Sequence, residues 1–432
     1  MFDKIAHEKR MAQFLCDRFG MFIHFGLYAI PARGEWIRST ERMSEENYAQ
    51  YFYEFNPKRF DAKVIARAAK NAGMKYAVLT AKHHDGFCLF DTKTTDYNVM
   101  NTPFKRDIVS EFLTAFREEG LRVGLYYSLI DWHHEDFPHY NDPYHPMREN
   151  DAYKDDDRNF DRYLSYMHTQ IRELIENYGK LDIMWFDFSY GKMRGDKWRA
   201  KELIAMIREK FPDIIIDNRL EVSGEGFGSL VTDEVSDFSG DFVSPEQIIP
   251  CDGILNSKGE SVPWEACITL NNNWGYCESD KNYKSGEQII KKLIECVSKN
   301  GNLLLNVSPN AMGELNDITL NILNEIGAWM RKNGESIYAC GHVADKIENG
   351  RITGCGENIR YYHIMEPAIN DIPLFNLDKS RIKSVRLLST GAELKLSDSW
   401  ITDNYPDIAF VRLGANPALP NPVTVIKVVM KD

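Results

Sequence analysis

From residue 20 to about residue 334, short apolar runs alternate with segments of helical period. The runs Met21–Phe25, Tyr76–Thr80, Arg122–Ser128, Asp182–Asp187, Ile214–Asn218, Ala266–Leu270 and Leu303–Val307 are rich in Ile, Leu, Val, Tyr and Phe, with little alternation. A strand apolar on both sides is buried on both faces, as in a parallel sheet covered by helices. The intervening segments supply those helices. In Phe60–Asn71 the apolar positions Val64, Ile65, Ala68 and Ala69 share a face, and Gly73 provides a left-handed stop. Ile108–Glu119 repeats the device with Phe112, Leu113, Phe116 and Gly120, and longer helices fit Phe160–Tyr178, Asp196–Lys210, Gly286–Ser298 and Leu315–Asn333. Seven strands and one obscure region near 230–245 predict an α/β fold with a TIM-like (β/α)8 barrel. A doubly wound sheet would give a similar string, but it would gather its chemistry at one switch point. Here strand after strand ends in polar residues: His24, Lys82 to Asp85, Tyr126 and Tyr127, Trp185 and Asp187, Asn218 and Arg219.

After about residue 335 the pattern changes. Asn358–Met365, Lys383–Leu388, Ala392–Leu396, Asp407–Leu413 and Val423–Val429 alternate or run β-branched, separated by turn residues. They predict a small C-terminal all-β sandwich. The expected division is a catalytic barrel over 1–338 and a β-sandwich over 339–432, because 432 residues exceed what one core holds.

The net charge of −12 argues against a nucleic-acid or anionic membrane partner. No apolar run is long enough to span a bilayer, and the first twenty residues hold no apolar leader. The eight cysteines are widely spaced with no CxxC pair, which speaks against a zinc ribbon and for reduced thiols. A cytoplasmic location is the expectation. A homo-oligomer is compatible with the sequence.

Candidate chemistry starts at Asp187, a carboxylate closing a buried strand between aromatic neighbours. An aspartate there suits a helix cap, or an acid aimed into a barrel mouth. His83 and His84 offer donors and acceptors suited to sugar hydroxyls. A metal site with His133, His134 and Glu135 is the rival, but no HxH or HExxH spacing is present. His24 is a lone polar residue ending an apolar strand, and Glu35–Trp36 pairs an acid with a ring that can stack on a sugar. Trp264 and Trp274 are candidate pocket walls. Acids crowd 233–265: Asp233, Glu234, Asp237, Asp241, Glu246 and Glu265. A retaining glycosidase places a second carboxyl about 5–5.5 Å from its nucleophile. That partner is sought among these six, and composition does not choose it. No P-loop, GxGxxG, GxSxG or kinase signature occurs.

The stretches RFGMFIHFGLYAIPARGEW, YAVLTAKHHDGFCLFDT, KRDIVSEFLTAFREEGLRVGLYYSLIDW, DIMWFD, DNR, PWEACITLNNNWGY and GNLLLNVSPNAMGEL, in this order from residue 18 to about 338, resemble glycoside hydrolase family 29 of α-L-fucosidases. The resemblance implies a barrel followed by a β-sandwich, and exo-acting, retaining hydrolysis of fucosylated glycans or small fucosides with no cofactor or metal. It makes Asp187 the nucleophile. It places His24, Glu35, Trp36, His83, His84, Tyr126, Trp185 and Arg219 around the sugar, with Trp274 near its methyl group. For the acid/base it ranks Glu246 first, then Asp241, then Glu265. A metal-dependent hydrolase on the same barrel and a non-catalytic sugar-binding protein are the alternatives.

Overall fold

A computed structural model describes residues 3–154, 158–224, 226–367, 371–377, 379–412 and 422–431. The continuous apolar runs all become parallel strands: β1 (Phe19–Ile23), β2 (Tyr76–Lys82), β3 (Arg122–Ser128), β4 (Ile183–Asp187), β5 (Ile215–Ile216), β6 (Trp264–Thr269) and β7 (Gly301–Val307). They form one seven-stranded sheet in the order β5-β4-β3-β2-β1-β7-β6. The obscure region joins its two edges. Asp217 bridges Phe242 on one side, while Val243 bridges Trp264 and Glu246 bridges Cys267 on the other, all parallel. Ser244 and Pro245 interrupt that segment, so it carries no strand pattern in the sequence.

Alternation along the strands sorts side chains into two layers. Phe22, Tyr76, Val78, Tyr126, Ile183, Trp185, Ile215, Phe242, Cys267 and Leu304 form an interior cluster. The opposite faces pack beneath helices Ala62–Asn71, Ile108–Glu118, Phe160–Asn177, Ala200–Lys210, Gly286–Ser298 and Asp317–Asn333. Asp61, Asp107, Asn159, Ser285 and Asn316 cap five of these helices through their side chains. Gly73 and Gly120 follow the first two at φ +89° and +77°, the left-handed stops expected of them.

An additional helix, Lys4–Asp17, closes the N-terminal end of the strands. Its Met11 and Phe14 enter the interior cluster, with the Phe14 ring 5.4 Å from Tyr76 and 5.0 Å from Phe242. Asp241 fastens it there. This fully buried carboxylate accepts from Arg10 Nη2 at 2.8 Å, Arg208 Nη2 at 2.7 Å and Ile216 N at 2.9 Å, joining the helix to its neighbour Ala200–Lys210 and to β5.

The C-terminal strands are β8 (Gly350–Cys355), β9 (Ile359–Ile364), β10 (Ile372–Leu374), β11 (Ile382–Leu387), β12 (Lys395–Leu396), β13 (Ala409–Arg412) and β14 (Thr424–Met430). They build antiparallel sheets β11-β14-β9-β8 and β10-β13-β12, which share one buried apolar cluster. Two of them were not anticipated: β8 carries two glycines and β10 a central proline, which weaken the strand pattern. Leu413, the end of one expected strand, lies outside the described residues. Tyr361, Val423 and Val425 pack into the outer core of the parallel domain, and Trp329 Nε1 donates to Val423 O at 2.9 Å.

Removing the carboxylate of Asp241 leaves Arg10 and Arg208 without their shared counter-charge. Asp241→Ala is expected to lose about 3–5 kcal/mol of unfolding free energy, measured by urea denaturation.

Candidate active site

A cleft of about 560 Å³ opens among residues at the C-terminal ends of the strands. Phe22, His24, His83, Tyr126, Trp185, Asp187, Arg219, Glu246 and Trp274 are among its lining residues. The alternation of β4 sends Ile183 and Trp185 into the interior and leaves Asp187 last, at the mouth. Asp187 Oδ2 accepts from Tyr126 OH at 2.8 Å, and Oδ1 accepts from Arg219 Nη1 at 2.8 Å.

Arg219 is held on every side. Its Nε donates to Ser244 Oγ at 3.0 Å, its Nη2 to Ser244 O at 3.1 Å, and its guanidinium lies 4.6 Å from the centroid of the Trp185 ring. Burial opposes its charge, but Asp187 and Glu246 more than offset this and hold its pKa well above the ordinary value. The same Nη1 that binds Asp187 also donates to Glu246 Oε2 at 2.9 Å. Two oxygens 2.8 and 2.9 Å from one nitrogen can be at most about 5.7 Å apart. Glu246 Oε1 accepts from Trp274 Nε1 at 3.2 Å. Gly224 makes this close grouping possible: a Cβ there would sit 2.7 Å from Arg219 Nη2 and 2.9 Å from Glu246 Cβ.

The histidines are tuned by partners behind them. Asn306 Nδ2 donates to Trp274 O at 2.8 Å, so its Oδ1 faces His24 Nδ1 at 2.7 Å. His24 therefore carries its proton on Nδ1, and Nε2 is a bare acceptor. Ser128 Oγ donates to Ile130 O at 2.8 Å and so accepts from His84 Nδ1, also at 2.8 Å, which gives His84 the same tautomer. Burial lowers the pKa of His24 to about 3, and it pushes His83 and His84 well below their ordinary value. All three are neutral at physiological pH.

One wall is aromatic: Trp36 and Phe188 lie 5.3 Å apart between ring centroids, Tyr144 and Phe188 4.7 Å, Tyr144 and Tyr190 4.9 Å. Phe188, directly after Asp187, has φ +86°, a strained value for a bulky residue. The Leu129 N–H donates to Asp187 O at 2.9 Å and helps fix that turn.

Of the residues singled out from the sequence, the structure brings ten to the cleft wall: His24, Trp36, His83, His84, Tyr126, Trp185, Asp187, Arg219, Glu246 and Trp274. Glu35 is not on the wall; its buried Oε2 accepts from Gly275 N at 2.8 Å, behind Trp274. The candidates Asp241 and Glu265 are also elsewhere. Asp241 is committed to Arg10 and Arg208 at the opposite end of the strands. Glu265 points into the interior, where it accepts from Tyr76 OH and from Trp185 Nε1 at 3.4 Å. Sequence reasoning missed Phe22, Tyr144, Phe188, Tyr190, Ser223 and Gly224 on the wall. Phe188 and Tyr190 were within reach, since they continue the strand of Asp187. Asn306 and Ser128 lie behind the wall, where they bond His24 and His84 and neighbouring backbone carbonyls, and have no sequence signal. Among the described residues, no group of three or more His, Cys, Asp or Glu side chains is disposed to hold a metal ion.

The family model described as alpha-L-fucosidase matches residues 2–335. The solved structure of α-L-fucosidase isoenzyme 1 from Paenibacillus thiaminolyticus is similar throughout, with 53% identity, a TM-score of 0.95, and coverage of 99% of this chain and 100% of that one. A GH29 α-L-fucosidase from Bacteroides thetaiotaomicron, solved as a trapped covalent intermediate with 2-fluoro-fucosyl fluoride, is 27% identical at a TM-score of 0.82, covering 98% of this chain and 96% of that one. A putative α-L-fucosidase of Caenorhabditis elegans is 29% identical over 350 residues, 74% of this chain; the chain spans 65% of that relative's length.

Across about pH 5–8, where a free imidazole changes charge, His24 and His84 are expected to stay neutral with the proton on Nδ1. Nitrogen-15 chemical shifts of labelled histidine check this; a resonance from either ring that titrates in that range refutes it.

Proposed function

The chain belongs to the α-L-fucosidase family of retaining glycoside hydrolases, and from that premise we propose that it releases terminal α-L-fucose from fucosylated oligosaccharides or glycoconjugates by double displacement, with Asp187 as nucleophile and Glu246 as acid/base. The observation that carries this reading is the single nitrogen, Arg219 Nη1, shared by both carboxylates. Their two bonded oxygens are thus at most about 5.7 Å apart, a spacing that fits the roughly 5–5.5 Å of retaining enzymes better than the roughly 6.5–9.5 Å that gives an inverting enzyme room for its water.

In the first step Asp187 attacks the anomeric carbon while Glu246 gives its proton to the departing oxygen. In the second, Glu246 takes a proton from water, which attacks the same carbon and frees fucose with its configuration retained. Tyr126 and Arg219 hold the nucleophile by charge-assisted hydrogen bonds, so the carboxylate is oriented before substrate arrives. The bare Nε2 atoms of His24 and His84 accept from sugar hydroxyls, which suits a pocket that binds a neutral polyol. His83 completes the polar floor, Trp36 and Trp274 flank the sugar, and Glu35 acts from behind through the Gly275 backbone. Packed side chains fill the strand interior beneath the cleft, so among the described residues no channel continues through it, which supports exo action. We read the architecture as a TIM-like (β/α)8 barrel, with 242–246 in the place of the eighth strand, followed by a small β-sandwich.

Two substitutions test the roles. Asp187→Gly is expected to abolish turnover of an aryl α-fucoside and, with azide, to yield β-fucosyl azide. Glu246→Ala is expected to keep its first step on a dinitrophenyl fucoside and yield α-fucosyl azide, while hydrolysis of an oligosaccharide falls about 10²–10⁴-fold. Near-wild-type oligosaccharide rates from Glu246→Ala would remove it as the acid.

We further propose a cytoplasmic location. All eight cysteines are unpaired in the structure, and Cys88, Cys267, Cys277, Cys296 and Cys340 are buried. Titration of the denatured, unreduced protein is expected to find close to eight free thiols; several disulfides would contradict the location.

A further inference from the structure

Glu265 has no place in the reaction just described, yet it is a fully buried carboxyl group inside the ring of strands, near the start of β6. Its neighbours reach it from three strands. Tyr76 of β2 donates its hydroxyl to Oε2, and Trp185 of β4 points its indole N–H at Oε1 across 3.4 Å. From β7, Asn302 Nδ2 lies 3.3 Å from the Tyr76 hydroxyl and anchors that ring. Cys267 follows two residues on along β6. Among the described residues, no cation is in ion-pair contact with Glu265. Arg18 connects to it through Asn302 and Tyr76, at a 3.5 Å contact with Asn302 Oδ1, and Arg219 through Trp185 and, less directly, through Cys267, whose Sγ lies 3.8 Å from Nη2.

That second connection leads to the chemistry. The indole whose N–H meets Glu265 is the one whose face lies 4.6 Å from the Arg219 guanidinium, and Arg219 Nη1 is the donor common to Asp187 and Glu246. A carboxylate accepting from the indole N–H fixes the ring's angle and enriches its π face, which strengthens its hold on a cation. We infer that Glu265 is a positioning residue: through Trp185 it sets the placement of Arg219, and so the spacing of the two catalytic carboxylates. This rests on the roles proposed for Asp187 and Glu246.

Burial raises the pKa of Glu265 to about 7, against the lowering effect of the hydrogen bonds from Tyr76 and Trp185. The linkage is therefore adjustable near neutrality. Above the midpoint the ionised carboxylate attracts the indole N–H across 3.4 Å more strongly than the neutral acid does. As pH falls through the midpoint that attraction weakens, and turnover declines roughly three- to tenfold.

The linkage has a readout that needs no substrate. In protein labelled with 5-fluorotryptophan, the fluorine resonance of Trp185, identified by its loss in Trp185→Phe, is expected to shift with a midpoint near pH 7, and in Glu265→Gln to stop shifting. Glu265→Gln should also lower kcat on an aryl fucoside roughly tenfold with KM little changed, because only the reacting groups are displaced. A Trp185 resonance that ignores pH near neutrality in the wild type, or a Glu265→Gln variant with unchanged kcat, overturns the inference. If Glu265→Gln does not fold, Tyr76→Phe serves: loss of one donor to the carboxylate must move the midpoint upward, and an unmoved midpoint is equally fatal. Because the resonance is read without substrate, its behaviour is independent of whether azide confirms Asp187 and Glu246.

Discussion

The guanidinium of Arg219 is the cation that lets two acids share one small space. At an effective dielectric of about 20, each contact near 2.9 Å is worth on the order of 6 kcal/mol, whereas two carboxylate oxygens at most about 5.7 Å apart repel by roughly 3 or somewhat more. Attraction wins while the arginine is in place, although the partial exposure of Glu246 reduces its share. Arginine suits the position because its fork is rigid and its charge permanent. The Ser244 side chain and backbone fix two of its nitrogens, so the third is aimed rather than free. The absence of a side chain at Gly224 lets the loop close over the group, and the Trp185 face supports it from below.

Around this charged centre the cleft is otherwise neutral. Asn306 and Ser128 fix the His24 and His84 tautomers, and burial keeps both rings uncharged. Added positive charge beside Arg219 would compete for Asp187 and Glu246. Neutral rings leave the electrostatics of that pair undisturbed while still presenting bare acceptor nitrogens to the cleft.

Much of the fold was legible because the strands are continuous apolar runs and two of the covering helices stop at a left-handed glycine. The elements that escaped are those whose role is tertiary. Helix Lys4–Asp17 has charged or polar residues scattered through it and uses only a few side chains, Met11 and Phe14 foremost, to seal the interior. The 242–246 segment contains Ser244 and Pro245 and bridges its neighbours only at isolated points. Site residues were legible where a polar group ended a strand, as at His24, Asp187 and Arg219. The acid crowd could not be resolved from composition, because position along an extended segment decides it. Asp241 and Glu246 are five residues apart, about 16 Å of extended chain, enough to put one against Arg10 at the base and the other against Trp274 at the mouth. Glu265 was ambiguous for another reason: a strand residue faces either in or out, and an inward carboxyl resembles a catalytic one until its partners are known.

Fastening the N-terminal helix to Asp241 also has a consequence for synthesis. Arg10 and Asp241 are separated by 231 positions, and at roughly 5–20 residues per second the ribosome takes about 10–50 s to travel between them. Throughout that interval Met11 and Phe14 lack the Phe242 and Leu304 surfaces they will cover, and β1 lacks β7, one of its two flanking strands. A segment made early is thus among the last to find its place, and the nascent chain presents an apolar, unpaired strand edge until β7 has been made. Exposed apolar surface and unpaired strand edges of this kind are aggregation-prone, so this interval is the one in which misassembly competes with folding.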